Sequence, residues 1–247
     1  MAEPSTGLRA DKFLVEHDYF DSRTQAQAAL KAGKVRVNGR VLKKASMPLT
    51  EHDNIEAKKL HPWVSRGGLK LVHALKEFNV SVEGLTALDV GASTGGFTDV
   101  LVERGAVKVY AVDVGHDQLH VKLKGDARII SMEVQDARKL TSDMFPILPD
   151  IIVCDASFIS AMKVLGAALD IAAKGTKLIT LVKPQFEVGK AGIGRGGIVK
   201  NESLADQALS DVSAWVSAKG WLVEGMSDSP IKGGSGNHEF LLYAVKA

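Results

Sequence analysis

The chain reads as an α/β protein, a Rossmann-like domain with an open parallel sheet behind a small amino-terminal α+β domain. Three observations predict this. ALDVGASTGGFTDVL (residues 87–101) passes from a buried apolar strand through a small-residue turn into helical spacing, the first half of a nucleotide-binding βαβ unit. More continuously apolar segments follow in VKVYAVDVG, IISME, PDIIVCDASFIS and KLITLVKPQFE, as strands buried on both faces require. Charge divides unevenly as well: residues 1–80 hold 14 Lys/Arg against 9 Asp/Glu, the rest 17 against 20. A basic module beside a mildly acidic body suits a polyanion-binding appendage on a catalytic domain.

A composition of 45% hydrophobic and 24% charged residues argues against disordered and fibrous classes. No run approaches the 18 apolar residues of a membrane-spanning helix. MAEPSTGLRADK has no apolar core of a signal peptide, so a cytoplasmic location is expected. The single cysteine, Cys154, excludes an internal disulfide and a Cys-based metal site, and no metal is expected.

In chain order, LRADKFLVEH should place Leu8, Phe13 and Leu14 on one helical side. In the next helix Ser22 and Gln25 form a capping-box pattern, and Gly33 is the expected stop. Val35, Val37 and Val41 alternate around Asn38-Gly39, the strongest short hairpin signal, and Met47–Ala57 should add a last strand or two. Residues 1–58 thus form one domain, 59–64 a linker that Pro62 keeps from being helical, and 65–247 the other. Trp63 is expected to dock on the larger domain. SRGGLKLVHALKEF predicts a helix with Leu69, Val72, Leu75 and Phe78 as its core stripe and Lys70 facing a cleft. Residues 188–201 form a glycine-rich loop expected to move over the site. A helix over 204–219 and two closing strands complete the chain, with Glu239 at the mouth of the last.

The turn after Val90 departs from the dinucleotide fingerprint, because Ser93 stands where its second glycine would be. Asp89, ending the strand, suits a cationic ligand better than a pyrophosphate. Asp113 ends the second strand 24 residues later, near the spacing of an acid that grips ribose hydroxyls. Together these favour S-adenosylmethionine, with Asp89, Gly91, Ala92, Ser93, Thr94, Gly95, Gly96, Phe97, Asp113, Val114, Asp136 and Ala137 as candidate contacts. Asp136 serves equally well as a helix N-cap.

Ligands of open parallel sheets bind outside the strands' carboxyl ends, where Asp89, Asp113, Asp155 and Lys183 all fall. Methylation of an exocyclic amine usually calls for a proline-containing corner, and here the corner is Asp155-Ala156-Ser157-Phe158. Methylation of a pyrimidine carbon needs a thiol, and strand alternation turns Cys154 away from the side Asp155 faces. A hydroxyl acceptor remains, which needs a base within hydrogen-bond reach. Lys183 is the candidate base. Lys70 would be a neighbouring ammonium favouring its neutral form, with Asp155 and Glu239 orienting the pair.

Helix, helix and Asn-Gly hairpin, with the run SRxxAQxxLxxGxVxVNG, resemble the S4 RNA-binding domain over about fifty residues. That resemblance implies binding of structured RNA through phosphates and shape, with Arg9, Arg23, Lys31, Lys34, Arg36, Arg40, Lys43, Lys44 and, beyond the module, Arg66 as candidates. SRGGLKL, LDVGASTGGFT, VxDVG, DIIVCDASFIS, LVKPQFE and GNHEF, in this order behind the S4 module, resemble the TlyA family. Its members are also labelled hemolysin A-like and are similar to FtsJ-type ribose methyltransferases. The resemblance implies a Lys-Asp-Lys-Glu tetrad at Lys70, Asp155, Lys183 and Glu239. It further implies S-adenosylmethionine-dependent 2′-O-methylation of cytidine in ribosomal RNA, with rRNA or ribosomal subunits as partner. His61-Pro62 stand where the family commonly has a basic residue before Trp63-Val64, which bears on interdomain coupling. Two rival expectations are a membrane-lytic protein and a non-catalytic RNA-binding assembly factor.

Overall fold

The computed structural model describes residues 7–247, so residues 1–6 of the stretch read for a leader lie outside it. The described residues up to Pro62 form one compact unit and Trp63–Ala247 another.

The first unit contains β1 (Leu8–Arg9), α1 (Ala10–Glu16), α2 (Arg23–Lys31), β2 (Val35–Val37), β3 (Arg40–Val41), β4 (Pro48–Leu49) and β5 (Ile55–Ala57). Leu8 is not on the first helix: it pairs with Leu49 across β1 and β4, a contact no local periodicity reveals. Ser22 caps α2 by accepting from the Gln25 amide at 3.3 Å, and Gly33 leaves the helix with φ 69°. Asn38 and Gly39 both take positive φ, 51° and 76°, as a type I′ turn between β2 and β3 requires. The core is Phe13, Leu14, Phe20, Ala26, Leu30 and Val35.

The second unit contains α3 (Gly67–Glu77), β6 (Thr86–Val90), α4 (Gly96–Glu103), β7 (Lys108–Val112), β8 (Ile129–Met132), β9 (Ile151–Cys154), α5 (Ala161–Val164), α6 (Gly166–Ile171), β10 (Lys177–Val182), α7 (Pro184–Glu187), α8 (Glu202–Ala218), β11 (Trp221–Asp228) and β12 (Phe240–Lys246). Its sheet has the order β11-β12-β10-β9-β6-β7-β8. Pairing from β10 to β8 is parallel, and β12 runs antiparallel to both its neighbours. Strand order reverses beside β6, with β7 on one side and β9 on the other. That switch point is where such sheets open a ligand crevice.

Side-chain alternation decides which groups share a face. Odd-numbered Ala87, Val109, Ile151, Val153, Ile179, Leu181 and Leu241 pack against α3 and α4. Even-numbered Leu88, Val90, Ile152, Cys154, Leu178, Val182 and Leu242 pack in the other cluster, with α5, α6 and α8. Trp63 is buried in the α3–α4 layer. The core face of α3 is wider than the expected stripe: Gly68, Lys70, Leu71, Ala74 and Leu75 are buried, and Leu69, Val72 and Phe78, half-buried, pack against the same core. Trp63 packs on Gly68, where a Cβ would overlap its side chain. The glycine face is therefore the close-approach face. Fully burying a side chain such as Leu71 is worth about 1.5–3 kcal/mol.

Candidate active site

Asp89, Asp155, Lys183 and Glu239 continue the odd-numbered series at the strand ends, so all four point toward α3, whose Lys70 points back. Lys70 is 7% exposed, Lys183 6% and Glu239 3%. Lys70 Nζ lies 2.6 Å from Glu239 Oε2 and 3.6 Å from Asp155 Oδ1. That same Oδ1 lies 2.7 Å from Lys183 Nζ. The contact is an ion pair outside hydrogen-bond geometry, because the Lys183 N–H groups are directed to Asp155 O at 3.0 Å and Ser157 Oγ at 2.8 Å. Glu239 also accepts from Gln185 Nε2 at 3.2 Å. The result is an alternating chain, Glu239–Lys70–Asp155–Lys183, with no net charge. Asp155 Oδ1 thus stands between the two ammonium groups.

Glycines make this convergence possible. A Cβ on Gly67 would sit 3.2 Å from Asp155 Oδ2, and Gly91, at φ 79°, would bring one 2.8 Å from Ala156 Cα. Gly95 does not face the ligand cavities. It is the left-handed cap residue of α4, φ 89°, packed under Leu119 and Leu123.

Two neighbouring cavities meet at the switch point. One, of about 580 Å³, is lined by Lys70, Asp155, Lys183 and Glu239 together with Asp89, Gly91, Ala92, Ser93, Thr94, Gly96 and Phe97. The other, of about 610 Å³, is lined by Asp113, Val114, Gln118, Asp136 and Ala137. Gly91, Ser93, Asp155, Ser157 and Phe158 line both. Asp113 is held with its oxygens on the Ser93 amide (2.8 Å) and the Gly115 amide (2.7 Å), which fixes an acceptor at the mouth of the second cavity. Asp136 does cap a short 3₁₀ turn, accepting from Arg138 N at 3.0 Å, and its carboxyl also pairs with the Arg138 guanidinium. It lines the cavity in that posture.

Asp89 is wholly buried. Thr98 Oγ1 donates to its Oδ2 at 2.7 Å, and its Oδ1 has no partner among the described residues. Burial first, then the charges of Asp155 and Asp113, push its carboxyl up to about 7, with the Thr98 bonds opposing. A buried carboxylate oxygen without a partner, beside a cavity, is a place for a cationic ligand. The second cavity's fixed acceptor and the close backbone approach at Gly91 fit the ribose and chain of S-adenosylmethionine. Cys154 lies on the opposite face, where burial pushes its thiol up to about 12, far from a nucleophile's range.

Several features were missed by the sequence reading. Ser157, Gln185 and Asn237 line the main cavity. Asn237 accepts from Val199 N at 3.0 Å and donates to Gly197 O at 2.9 Å, tying the glycine-rich loop to the segment before Glu239. Its Gly-Asn-His-Glu setting was the available signal. Phe158 is 92% exposed with φ 67°, an unusual conformation for an aromatic residue that no sequence signal marks.

In the first unit Lys31, Lys34, Arg36, Arg40, Lys43 and Lys44 are all exposed. Arg9 and Arg23 pair with the buried Asp11, at 3.1 and 2.7 Å, while their own side chains stay about half exposed. Arg66 belongs to the second unit and lines its main cavity.

Comparison with known proteins gives matches to two family models, the FtsJ-like methyltransferase over residues 63–246 and the S4 domain over residues 8–55. The chain is 40% identical to the 16S/23S rRNA (cytidine-2′-O)-methyltransferase TlyA of Mycobacterium tuberculosis, covering 95% of this chain and 88% of that one. It is 39% identical to Hemolysin A of Brachyspira hyodysenteriae, over 96% of this chain and all of that one. A solved candidate hemolysin from Streptococcus thermophilus shares 41% identity at a TM-score of 0.78, covering 99% of this chain and 90% of that one.

Proposed function

We propose that this chain, which belongs to the TlyA family of FtsJ-like methyltransferases, methylates a ribose 2′-hydroxyl of ribosomal RNA, cytidine being the favoured nucleoside. The observation that carries this is the buried chain Glu239–Lys70–Asp155–Lys183 beside a cavity that can hold S-adenosylmethionine. Bound there, S-adenosylmethionine supplies an electrophilic methyl group on a sulfonium. Asp113 would take the cofactor's ribose hydroxyls, the backbone of Gly91 to Thr94 and of Gly96 and the free oxygen of Asp89 would hold its amino-acid end, and Val114, Asp136 and Ala137 would border the base.

Lys183 removes the proton from the acceptor hydroxyl as the new bond forms, a contribution typically worth about 10²–10⁴-fold. Asp155 fixes Lys183 in place, and Glu239 anchors Lys70. The exposed lysines and arginines of the S4 unit hold the RNA by its phosphates, and the partner is ribosomal RNA, free or in a ribosomal subunit. The hemolysin names among the relatives raise the membrane-lytic alternative. The apolar strands here are spent inside a sheet covered on both faces, which supports the enzymatic function instead.

The test is incubation with labelled cofactor and separate small and large ribosomal subunits, followed by mapping of 2′-O-methyl groups. Wild type should modify ribose. Lys183→Ala should abolish transfer while cofactor affinity stays within a few-fold. Loss of cofactor binding in that variant would make Lys183 structural and remove the proposed base.

A further inference from the structure

We infer that Ser157 is a second proton-carrying residue of the reaction, passing the acceptor's proton to Lys183. This rests on the methyl transfer to ribose proposed above. Lys183 Nζ has three polar neighbours in the cleft: Asp155 O at 3.0 Å, Asp155 Oδ1 at 2.7 Å and Ser157 Oγ at 2.8 Å. An ammonium suits all three, donating to Asp155 O and Ser157 Oγ and facing Asp155 Oδ1 as a counter-charge. A base is different: it has only two N–H groups and a lone pair, and one neighbour must face that lone pair. A backbone carbonyl has no proton to offer, nor does an ionised carboxylate. The Ser157 hydroxyl does. The neutral amine therefore keeps its N–H groups on Asp155 and turns its lone pair toward the Ser157 O–H.

Position supports the same assignment. Lys183 lines the main cavity but is buried, whereas Ser157 is exposed and lines both cavities, so its hydroxyl is the more accessible of the two. In the step itself, the acceptor O–H bond breaks and its proton goes to Ser157 Oγ. Ser157 gives its own proton to Lys183 Nζ. One O–H and one N–H bond form for the two O–H bonds lost. The acceptor oxygen uses its freed pair to take the methyl carbon, while the pair of the broken carbon–sulfur bond stays on sulfur. Lys183 ends as ammonium and Ser157 is regenerated, and after product leaves the proton returns to water along the same path.

The experiment compares wild type, Ser157→Ala, Ser157→Thr and Lys183→Ala as full chains, on the ribosomal subunit that accepts methyl. It measures single-turnover rate, KM for RNA, a proton inventory in mixed H₂O and D₂O, and cofactor binding by calorimetry without RNA. Ser157→Ala should lower the rate about 100-fold. KM and cofactor affinity should stay within about three-fold, and Thr should restore most of the rate. The wild-type inventory should curve, as two protons in flight require, and the Ala variant's should be linear. Four results would overturn the assignment: a Ser157→Ala rate near wild type, a loss carried by KM, a Thr variant no better than Ala, or a linear wild-type inventory. An active Ser157→Ala beside an inactive Lys183→Ala would remove the relay and leave the methyltransferase standing. A wild type that transfers no methyl to RNA would instead remove the function on which the relay depends.

Discussion

Replacing Asp89 by Asn should make the second unit more stable at high pH while weakening its hold on the cofactor. An ordinary aspartate loses its proton near 3.9, and burial holds Asp89 up at about 7. Between those values the folded chain carries one proton more than the unfolded chain, so stability falls as pH rises. The slope is about 1.4 kcal/mol per pH unit, and the whole interval amounts to about 4 kcal/mol, lost once pH passes the folded value. Asparagine carries no charge at any pH and still offers Thr98 Oγ1 an oxygen to bond. Its advantage over wild type should therefore be near zero at pH 4 and grow to about 4 kcal/mol by pH 8. The assay is urea unfolding at a series of pH values, followed by tryptophan fluorescence. Trp63, Trp215 and Trp221 all lie in the second unit, so the signal reports that unit alone. A cationic ligand beside the free oxygen should draw the proton off, so wild type should release a proton on binding S-adenosylmethionine at pH 6 and the variant should not. Parallel stability profiles for the two proteins, or a wild type that gains on the variant as pH rises, would refute an Asp89 held protonated by burial.

Glu239→Gln leaves the Lys70 ammonium buried without its closest counter-charge, a change that typically costs about 3–5 kcal/mol. Asp155 Oδ1, 3.6 Å away, softens this toward the lower figure, so the melting temperature of the second unit should drop by about 6–12 °C. The double variant Lys70→Met, Glu239→Leu should regain most of that stability with no methyl transfer, and a double variant as unstable as the single one would count against a buried pair. In the first unit, the triple change Lys34→Ala, Arg36→Ala, Arg40→Ala should reduce the slope of log affinity against log salt by about 2–3 for rRNA binding. An unchanged slope would mean that these charges only solvate the surface.

The features readable in the sequence were those set by near neighbours. Asn38-Gly39 announces its turn because two successive positive φ angles suit few other pairs. Strand alternation puts Cys154 and Asp155 on opposite faces, and the two lie there. Contacts made across the chain were harder. Leu8 looked helical because its pairing with Leu49 lies forty-one positions away. The full buried width of α3 was not legible, because Trp63, which packs on Gly68, lies outside the helix. That Arg9 and Arg23 also pair with Asp11 was not legible, because nothing local shows that Asp11 is buried between them. Ser157 escaped notice because its importance depends on where the end of Lys183 comes to rest.

β10 and β12 pair along six successive positions, ending at Val182 opposite Phe240, and Lys183 and Glu239 are the next residue on each side. The two groups thus stand opposite each other one position beyond the ladder, on strands about 4.8 Å apart held by main-chain bonds indifferent to side-chain identity. The loops at 188–201 and 231–237 can accordingly be redrawn to fit a different RNA contour while the spacing of the reactive groups stays put.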